Sequence, residues 1–298
     1  VTVDVLGPVV LRVSGDVLEL RAPKERALLS ALALTPGRAV SPTDLASALW
    51  DDVLPSTWRK SVQVHVSRLR RHLTSIGVPE GVIDTEGDAY VLQIPPCNVD
   101  VVRFDAKLHE GREWMARAMY ERAVEAFFTA LALWRGRPLP DLDGRVRWTG
   151  TCTRLAEQRA SALEGEIEAD LANGRAEAVV ALIEEALASD PLRERLWSLL
   201  MVALYRTGRQ ADALRAFQRA RSALVDELGL DPGAELVRIE AMVISQDPGL
   251  DLDTALTQGA RRRSDTLRLV PGRMAVPGKT PVLFGRDEQL KTLVEIRK

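Results

Sequence analysis

The stretch from Ser61 to Leu73 most constrains what this chain can fold into, because apolar residues recur in it with a helical period. Spacings of four, three and four residues place these residues on one side of a helix, where they can enter a core. They are Val62, Val66, Leu69 and Leu73. At about 100° per residue, the opposite side is mainly basic and polar. It carries Lys60, Val64, Ser67, Arg68 and Arg71.

The cationic side of this stretch is free of acidic residues. No Asp or Glu occurs from Val53 to Pro79. A surface of this kind suits a polyanion, because each Lys or Arg set against a phosphate releases condensed counterions. The whole chain has a net charge of −2, so any attraction to nucleic acid must come from a local patch. An Arg-rich helix face is often only a solvated surface, and the neighbouring elements must decide between the two readings.

The neighbouring segments predict a winged helix. Short strands are predicted at 3–5, 9–13 and 17–20, with turns at Gly7-Pro8 and Ser14-Gly15. Two helices follow, at 22–34 and 42–50, the second with Ser41 as its N-cap. Behind the basic stretch, residues 82–85 and 90–94 flank turn residues and predict a hairpin. In this arrangement the third helix enters the DNA major groove and the hairpin lies beside it.

Two segments carry a more specific resemblance: Leu45 to Trp50 and Val62 to Leu73, followed by Gly87 and Tyr90. They resemble the OmpR-type winged helix of the SARP family (Streptomyces antibiotic regulatory proteins), which are bacterial transcription activators. The resemblance implies a base contact by Arg68 and phosphate contacts by several other residues. These are Trp50, Lys60, Ser61, His65, Arg70 and Tyr90. Together with Val64, Ser67 and Arg71 from the helical face, they form the predicted DNA-binding set.

The predicted wing departs from the family. Some family wings carry an Arg where this chain has Glu86, and Asp88 follows two residues later. Two carboxylates disfavour insertion into the minor groove, where the phosphate backbones concentrate negative charge. We therefore expect the third helix to carry more of the sequence specificity. His65 and His72 are predicted on the exposed side of that helix, without a catalytic partner.

From about Asn98 onward the pattern becomes all-helical. Helices are predicted at 103–117, 120–134, 151–173, 176–189, 192–207, 210–228 and 234–245. Turns at Gly174-Arg175 and Gly208-Arg209 lie 34 residues apart, which is the tetratricopeptide period. Glu227 to Leu236 is a distinctive part of a further resemblance, to the bacterial transcriptional activator domain that follows the winged helix in SARP proteins.

The expected fold class is mainly α with small β-sheets: an OmpR-type winged helix-turn-helix followed by an all-helical, tetratricopeptide-like bacterial transcriptional activator domain. The expected domains are 1–96 for the winged helix and 98–250 for the activator domain, then a linker at 251–280. Residues 281–298 contain Phe284-Gly285-Arg286, which resembles the opening of STAND and AAA-like ATPase domains. This suggests the front of a larger, AfsR-like member of the family. A short protein with a vestigial tail is the alternative.

Other chemistries find little support in the sequence. Gly272 and Gly278 are separated by five residues where a Walker A loop needs four, and prolines flank Lys279. Only Cys97 and Cys152 are present, without a CxxC pair, so neither a disulfide framework nor a zinc site is expected. We expect no enzyme, metal or cofactor in this chain, although a longer form could bind ATP or ADP. Without an apolar run of about 18 residues, a cytoplasmic, nucleoid-associated protein is expected.

The resemblance implies a mechanism as well as a fold. The protein would bind direct repeats near promoters as a dimer and contact RNA polymerase through its sigma subunit and alpha C-terminal domain, in the control of secondary metabolism. The alternative is a tetratricopeptide-type adaptor of a STAND ATPase, in which the winged helix docks proteins. The acid-free basic window favours DNA, because a protein-docking winged helix does not need it.

Overall fold

The computed structural model describes residues 1–18, 20–51 and 53–251, which form two compact units divided between residues 169 and 170. Four features of the sequence lie outside the described residues: the predicted linker beyond residue 251, the Arg261 to Arg263 run, the segment that does not fit a Walker A loop and the predicted ATPase opening at 281–298. The fold is mostly helical with two small sheets, which confirms the expected fold class.

The first unit opens with a three-stranded antiparallel sheet. Its strands are β1 (Thr2–Asp4), β2 (Val10–Val13) and β3 (Asp16–Leu18), in that order. Val3 pairs with Leu11, and Leu11 pairs with Leu18. Val3 and Leu11 are buried, so one side of the sheet enters the core. The three predicted strands are confirmed, and β1 and β2 are short because turns with Gly7-Pro8 and Ser14-Gly15 follow them closely.

Three helices follow the sheet. They are α1 (Pro23–Ala33), α2 (Pro42–Trp50) and α3 (Trp58–Ser75). The predicted cap of α2 is confirmed, because Ser41 Oγ accepts a hydrogen bond from the Asp44 amide at 3.1 Å. The predicted apolar line of α3 is also confirmed, since Val62, Val66 and Leu69 are at most 1% exposed. That line fixes which side of α3 faces outward.

A two-stranded hairpin completes the winged helix. Strands β4 (Ile83–Glu86) and β5 (Ala89–Leu92) pair with Glu86 opposite Ala89. Gly87 begins the two-residue turn at φ +63°, a conformation that glycine adopts without a Cβ penalty. The amide of Val40 donates to Tyr90 O at 2.8 Å, and the Tyr90 amide donates back to Val40 O at 3.0 Å. These bonds tie the hairpin to the segment between α1 and α2.

The first unit continues with α4 (Asp100–Ala116), α5 (Tyr120–Leu131) and most of α6 (Val146–Ala172). Helices α4 and α6 begin three and five residues before their predicted starts, respectively. Phe127 of α5 packs against glycines of both neighbours: a Cβ on Gly111 or on Gly165 would lie 2.6 Å from its ring. These two glycines therefore allow the three helices to approach closely.

Asp100, at the start of α4, binds the end of β1. Its carboxylate is 1% exposed and accepts hydrogen bonds from the amides of Val5 and Leu6 at 2.8 Å. Arg135 lies 3.6 Å from the same carboxylate. Burial raises the pKa of Asp100 to about 6, against the lowering effect of the two amide bonds. Asp100 of α4 thus fixes the chain where it leaves β1.

The irregular segment between α5 and α6 holds the winged helix from a second side. The amides of Arg135 and Leu139 donate to Leu6 O and Val5 O, at 2.8 and 3.0 Å. Arg26 of α1 binds Asp141 through Nε and Nη2 at 2.9 Å, and the Val146 amide donates to Asp51 Oδ1 at 2.9 Å. These contacts join parts of the chain about 95 to 130 residues apart.

The described part of the second unit, up to residue 251, contains four complete helices. They are α7 (Ala176–Ser189), α8 (Glu194–Arg206), α9 (Gln210–Leu228) and α10 (Ala234–Ser245). The bounds of α7, α9 and α10 agree with the prediction. Gly174 and Gly208 adopt φ +79° and +76° in the two turns spaced at the tetratricopeptide period. The matching small and large residues are buried, as that repeat requires. They are Trp197, Leu200, Ala213, Phe217 and Ala220.

Candidate nucleic-acid interface

The outward side of α3 is an exposed basic surface. Lys60, Arg68 and Arg71 are exposed there together with Ser67 and Val64. We call these five residues the α3 face. The apolar line on the opposite side of the helix is buried, so the α3 face cannot rotate inward without exposing the core. A DNA major groove admits one α-helix, and α3 is a helix of 18 residues with this face outward.

The N-terminal end of α3 offers an anion a concave surface. Thr57 makes no side-chain hydrogen bond to the first turn of the helix, and that turn contains no acidic residue. The positive end of the helix dipole is therefore not neutralised by its own residues. A depression of about 270 Å³ lies beside it, lined by Thr57, Lys60, Ser61, Val64 and His65. Hydroxyl, ammonium and imidazole groups in this depression are all able to donate to a phosphate.

Trp50 and His65 contact each other across α2 and α3. Their ring centroids lie 5.7 Å apart at an interplanar angle of 59°. Lys24 of α1 places its Nζ 4.7 Å from the centroid of the Trp50 ring. Burial lowers the pKa of His65, and the positive charges of Lys24 and Arg68 lower it further. The imidazole is therefore neutral near pH 7 and can contact a phosphate through a neutral N–H.

The two histidines of α3 are less exposed than predicted. His65 is half-buried beside Trp50, and the Nδ1 atom of His72 lies 2.6 Å from Oε2 of Glu25 in α1. The prediction that both lie on an open side of the helix is wrong, because a helical projection of α3 alone does not include α1 and α2. Neither histidine has the geometry of a general base acting on a nucleophile.

Arg70 points to the hairpin. Its Nε donates to Ile83 O at 2.8 Å and its Nη2 donates to Thr85 Oγ1 at 2.7 Å. The guanidinium carbon lies 5.7 Å from the centroid of the Tyr90 ring. Tyr90 is 6% exposed, and burial raises the pKa of its hydroxyl. Arg70 and Tyr90 belong to the predicted DNA-binding set, but the side-chain contacts of Arg70 are with the wing, and the Tyr90 ring is largely buried beside it.

The wing tip is acidic and exposed. Glu86, Gly87 and Asp88 are all exposed at the turn between β4 and β5. Both carboxylates therefore stand at the end of the hairpin, where a family member with arginine would present a cation. The expectation that the tip is a poor minor-groove ligand depends on these two exposed carboxylates and stays a prediction.

Sequence reasoning missed three residues of this surface. Lys24 and Thr57 belong to α1 and to the segment before α3, and Thr85 belongs to the wing. The absence of acids around Thr57 was a usable signal, whereas no local pattern marked Lys24 or Thr85. Their places are set by contacts with distant residues, which periodicity does not report.

Metal sites, membrane-spanning helices and reactive thiols were also sought among the described residues. Within 1–18, 20–51 and 53–251, no three His, Cys, Asp or Glu side chains are grouped to hold a metal ion. In the same ranges no helix combines the length and apolarity needed to cross a membrane. Cys97 is exposed and Cys152 is half-buried, and both are free thiols. Burial raises the pKa of Cys152, which makes it a poor nucleophile.

Two protein families match consecutive parts of the chain. Residues 16–92 match the C-terminal domain of transcriptional regulatory proteins, and residues 99–244 match the bacterial transcriptional activator domain. The first match covers the helices and hairpin that carry the candidate interface. The second covers the helices from α4 to α10.

Similar proteins are transcriptional regulators. The regulator RedD of Streptomyces coelicolor is 39% identical over 269 residues, which cover 89% of this chain and 77% of RedD. The regulatory protein AfsR of the same species is 35% identical over 98% of this chain, but this chain spans only 28% of AfsR. The solved structure of Mycobacterium tuberculosis EmbR, in complex with a low-affinity phosphopeptide, superposes with a TM-score of 0.78 at 34% identity, over 90% of this chain and 70% of EmbR.

The order of the two matched domains agrees with the geometry of the interface. An outward basic helix is supported by a winged-helix core, and an all-helical domain of tetratricopeptide character follows it. Together with the identity to RedD over most of both chains, these features show that the protein belongs to the SARP family of transcriptional regulators, with an OmpR-type winged helix and a bacterial transcriptional activator domain.

Proposed function

We propose that this protein is a sequence-specific DNA-binding transcription activator that places α3 in the major groove. The observation that carries the proposal is the exposed, acid-free α3 face on a helix whose opposite side is buried. Arg68, exposed near the middle of the helix, is the residue proposed to read a base. A guanidinium can bind guanine O6 and N7 with two hydrogen bonds.

The remaining polar residues of the surface position the protein on the backbone. Lys60, Ser61 and His65 line the depression at the N-terminal end of α3, where we place one phosphate. Arg71 contacts a second phosphate one helical turn after Arg68. Trp50 supports His65 and borders the same phosphate track. Such contacts set register and affinity but do not read sequence.

Arg70 and Tyr90 act through the wing in this proposal. The family resemblance implies that both hold phosphates, whereas Arg70 donates hydrogen bonds to Ile83 and Thr85 of β4 and its guanidinium lies 5.7 Å from the centroid of the Tyr90 ring. We assign them to fixing the hairpin beside α3. The acidic tip at Glu86 and Asp88 then stays outside the minor groove, and specificity rests mainly on α3.

The activator domain completes the mechanism. We propose that two copies bind direct repeats near a promoter and recruit RNA polymerase through its sigma subunit and alpha C-terminal domain, in the control of secondary metabolism. The support is the family and the regulators RedD and AfsR to which the chain is similar. DNA binding by the α3 face requires no cofactor, and control by ATP or ADP is proposed only for a longer form. A footprint that protects two adjacent repeats would support the direct-repeat part. A twofold increase in promoter complexes with RNA polymerase when the protein is present would support recruitment.

Arg68→Ala tests the base contact. Losing a good side-chain-to-base pair costs about 1–3 kcal/mol of discrimination, so affinity should fall on the operator and much less on a scrambled duplex. The measurement is a binding titration by fluorescence anisotropy on both duplexes. Equal losses on the two would make Arg68 a phosphate contact.

Lys60→Gln and Arg71→Gln test the phosphate contacts. Each should reduce the slope of log affinity against log salt by about 0.9. Lys107→Gln is the matched control, because Lys107 lies on α4 in an ion pair with Glu110 and its loss changes the net charge equally. If the wild-type protein did not bind duplex DNA even at low salt, the adaptor reading of the winged helix would replace this proposal.

A further inference from the structure

Lys24 extends the basic surface of the winged helix beyond α2 and α3. It is the second residue of α1, and its ammonium lies 4.7 Å from the centroid of the Trp50 ring. The indole in turn contacts the imidazole of His65, at 5.7 Å between ring centroids. Lys24, Trp50 and His65 therefore form a row of contacts that runs from α1 across α2 to α3.

His65 belongs to this row and also to the depression at the N-terminal end of α3. The same depression is lined by Lys60 and Ser61. Lys24 of α1 lies over Trp50, which contacts His65, and Lys60 of α3 lines the same depression as His65. Burial lowers the pKa of His65, and the positive charge of Lys24 lowers it further.

The contact with the Trp50 ring places the ammonium of Lys24 but does not use its N–H donors. A cation held over an aromatic face still has N–H donors that can bind an acceptor. The carboxylate of the neighbouring Glu25 contacts His72, with 2.6 Å between Oε2 and Nδ1. Among the described residues, no carboxylate oxygen lies within 4.0 Å of Lys24 Nζ. Within the part of the chain that the structure describes, the charge of Lys24 therefore lies over the Trp50 indole and not in an ion pair.

We infer that Lys24 is a further DNA-contact residue, which binds a backbone phosphate next to the one held by Lys60 and His65. The inference rests on the proposed DNA binding by the α3 face and widens it to the first turn of α1. In helix-turn-helix proteins the helices outside the groove cross the backbone, and a cation at the start of α1 suits that geometry. Because a phosphate carries no sequence information, Lys24 should strengthen binding to every duplex equally.

The test is a salt titration with the full chain and a random-sequence 30-base-pair duplex. Lys24→Met removes the charge and retains an unbranched apolar stem against Trp50. One phosphate contact contributes a slope of about 0.9, so affinity at 0.15 M salt should fall about fivefold and the slope should decrease by about one unit. Lys24→Arg should retain both, and Lys107→Gln is the control for an equal change in net charge.

The outcomes separate this inference from the proposed function. If Lys24→Met changes the slope no more than Lys107→Gln does, while Lys60→Gln still reduces it, the Lys24 contact is overturned and DNA binding by α3 stands. If the wild-type protein does not bind the duplex even at low salt, DNA binding itself fails. If Lys24→Met weakens binding to the operator but not to the random duplex, Lys24 reads sequence, which also overturns a phosphate contact.

Discussion

Replacing Arg70 by methionine separates a wing-holding residue from a phosphate contact. Arg70→Met removes the guanidinium and keeps an apolar side chain of similar reach. Two hydrogen bonds disappear, one to the carbonyl oxygen of Ile83 at 2.8 Å and one to the hydroxyl of Thr85 at 2.7 Å. The cation over the Tyr90 ring, at 5.7 Å, is lost as well.

The magnitude follows from these three contacts. The partly buried bond to Ile83 O contributes about 1 kcal/mol, and the exposed bond to Thr85 about 0.5 kcal/mol. An exposed cation–π contact adds about 0.5 kcal/mol. The hairpin should therefore lose about 2 kcal/mol of local stability relative to the rest of the first unit. A change of this size makes amide exchange about 30-fold faster wherever exchange proceeds through local opening.

Hydrogen exchange measured by mass spectrometry on peptides covering 83–92 is the direct assay. Exchange in these peptides should accelerate in Arg70→Met, and affinity for DNA should fall while its salt slope stays unchanged. Arg71→Met is the matched control: the neighbouring, exposed arginine should leave hairpin exchange alone and reduce the slope by about 0.9.

The opposite pattern for Arg70 would refute the reasoning. If Arg70→Met lowered the salt slope by about one unit and left the exchange of 83–92 unchanged, Arg70 would be a phosphate contact, as the family resemblance implies. Thr85→Val gives an independent check, because it removes only the Nη2 partner. Its effect on hairpin exchange should not add to that of Arg70→Met.

Two further predictions concern stability. Because burial raises the pKa of Asp100 to about 6 from 3.8, the folded state binds its proton more tightly than the unfolded state. The free energy of unfolding should therefore fall by ~3 kcal/mol as pH rises from about 4 to about 6. Urea titrations over this pH range measure the change, and the Asp100→Asn variant should not show it. A stability contribution from Asp100 that is lost toward acid pH would contradict the prediction. Gly165→Ala would place a Cβ 2.6 Å from the Phe127 ring and should cost about 1–3 kcal/mol in thermal unfolding. Gly150→Ala, in the same helix with open space around its Cβ, should not destabilise; equal effects of the two would exclude a packing cause.

Much of the fold could be predicted because its signals are local. The bounds of α7, α9 and α10 agree with their apolar periodicity and flanking turns. The buried line and the α3 face follow from the same rule, applied to one helix. Helices α4 and α6 begin earlier than predicted, and their first residues make distant contacts: Asp100 accepts from the amides of Val5 and Leu6 directly after β1, and the Val146 amide donates to Asp51.

The candidate site was predictable to a lesser degree, since a projection of one helix says nothing about what flanks it. Arg70 belongs to the basic stretch by sequence, but its hydrogen bonds reach residues 13 and 15 positions away, on β4. Lys24 carries no local signal at all. It joins the surface through Trp50, which lies 26 positions later.

The sequence by itself determined the helical register of α3, the acid-free window, the hairpin turn at Gly87 and the acidic wing tip. Each of these depends on residue type and spacing over a few turns of chain. Only the tertiary structure decided which cations face outward and which are engaged: Arg68 is exposed, Arg70 binds the wing, and Lys24 rests on Trp50. The physical reason is that a charged side chain acts according to the partners within about 4–6 Å of it, and those partners come from distant parts of the chain.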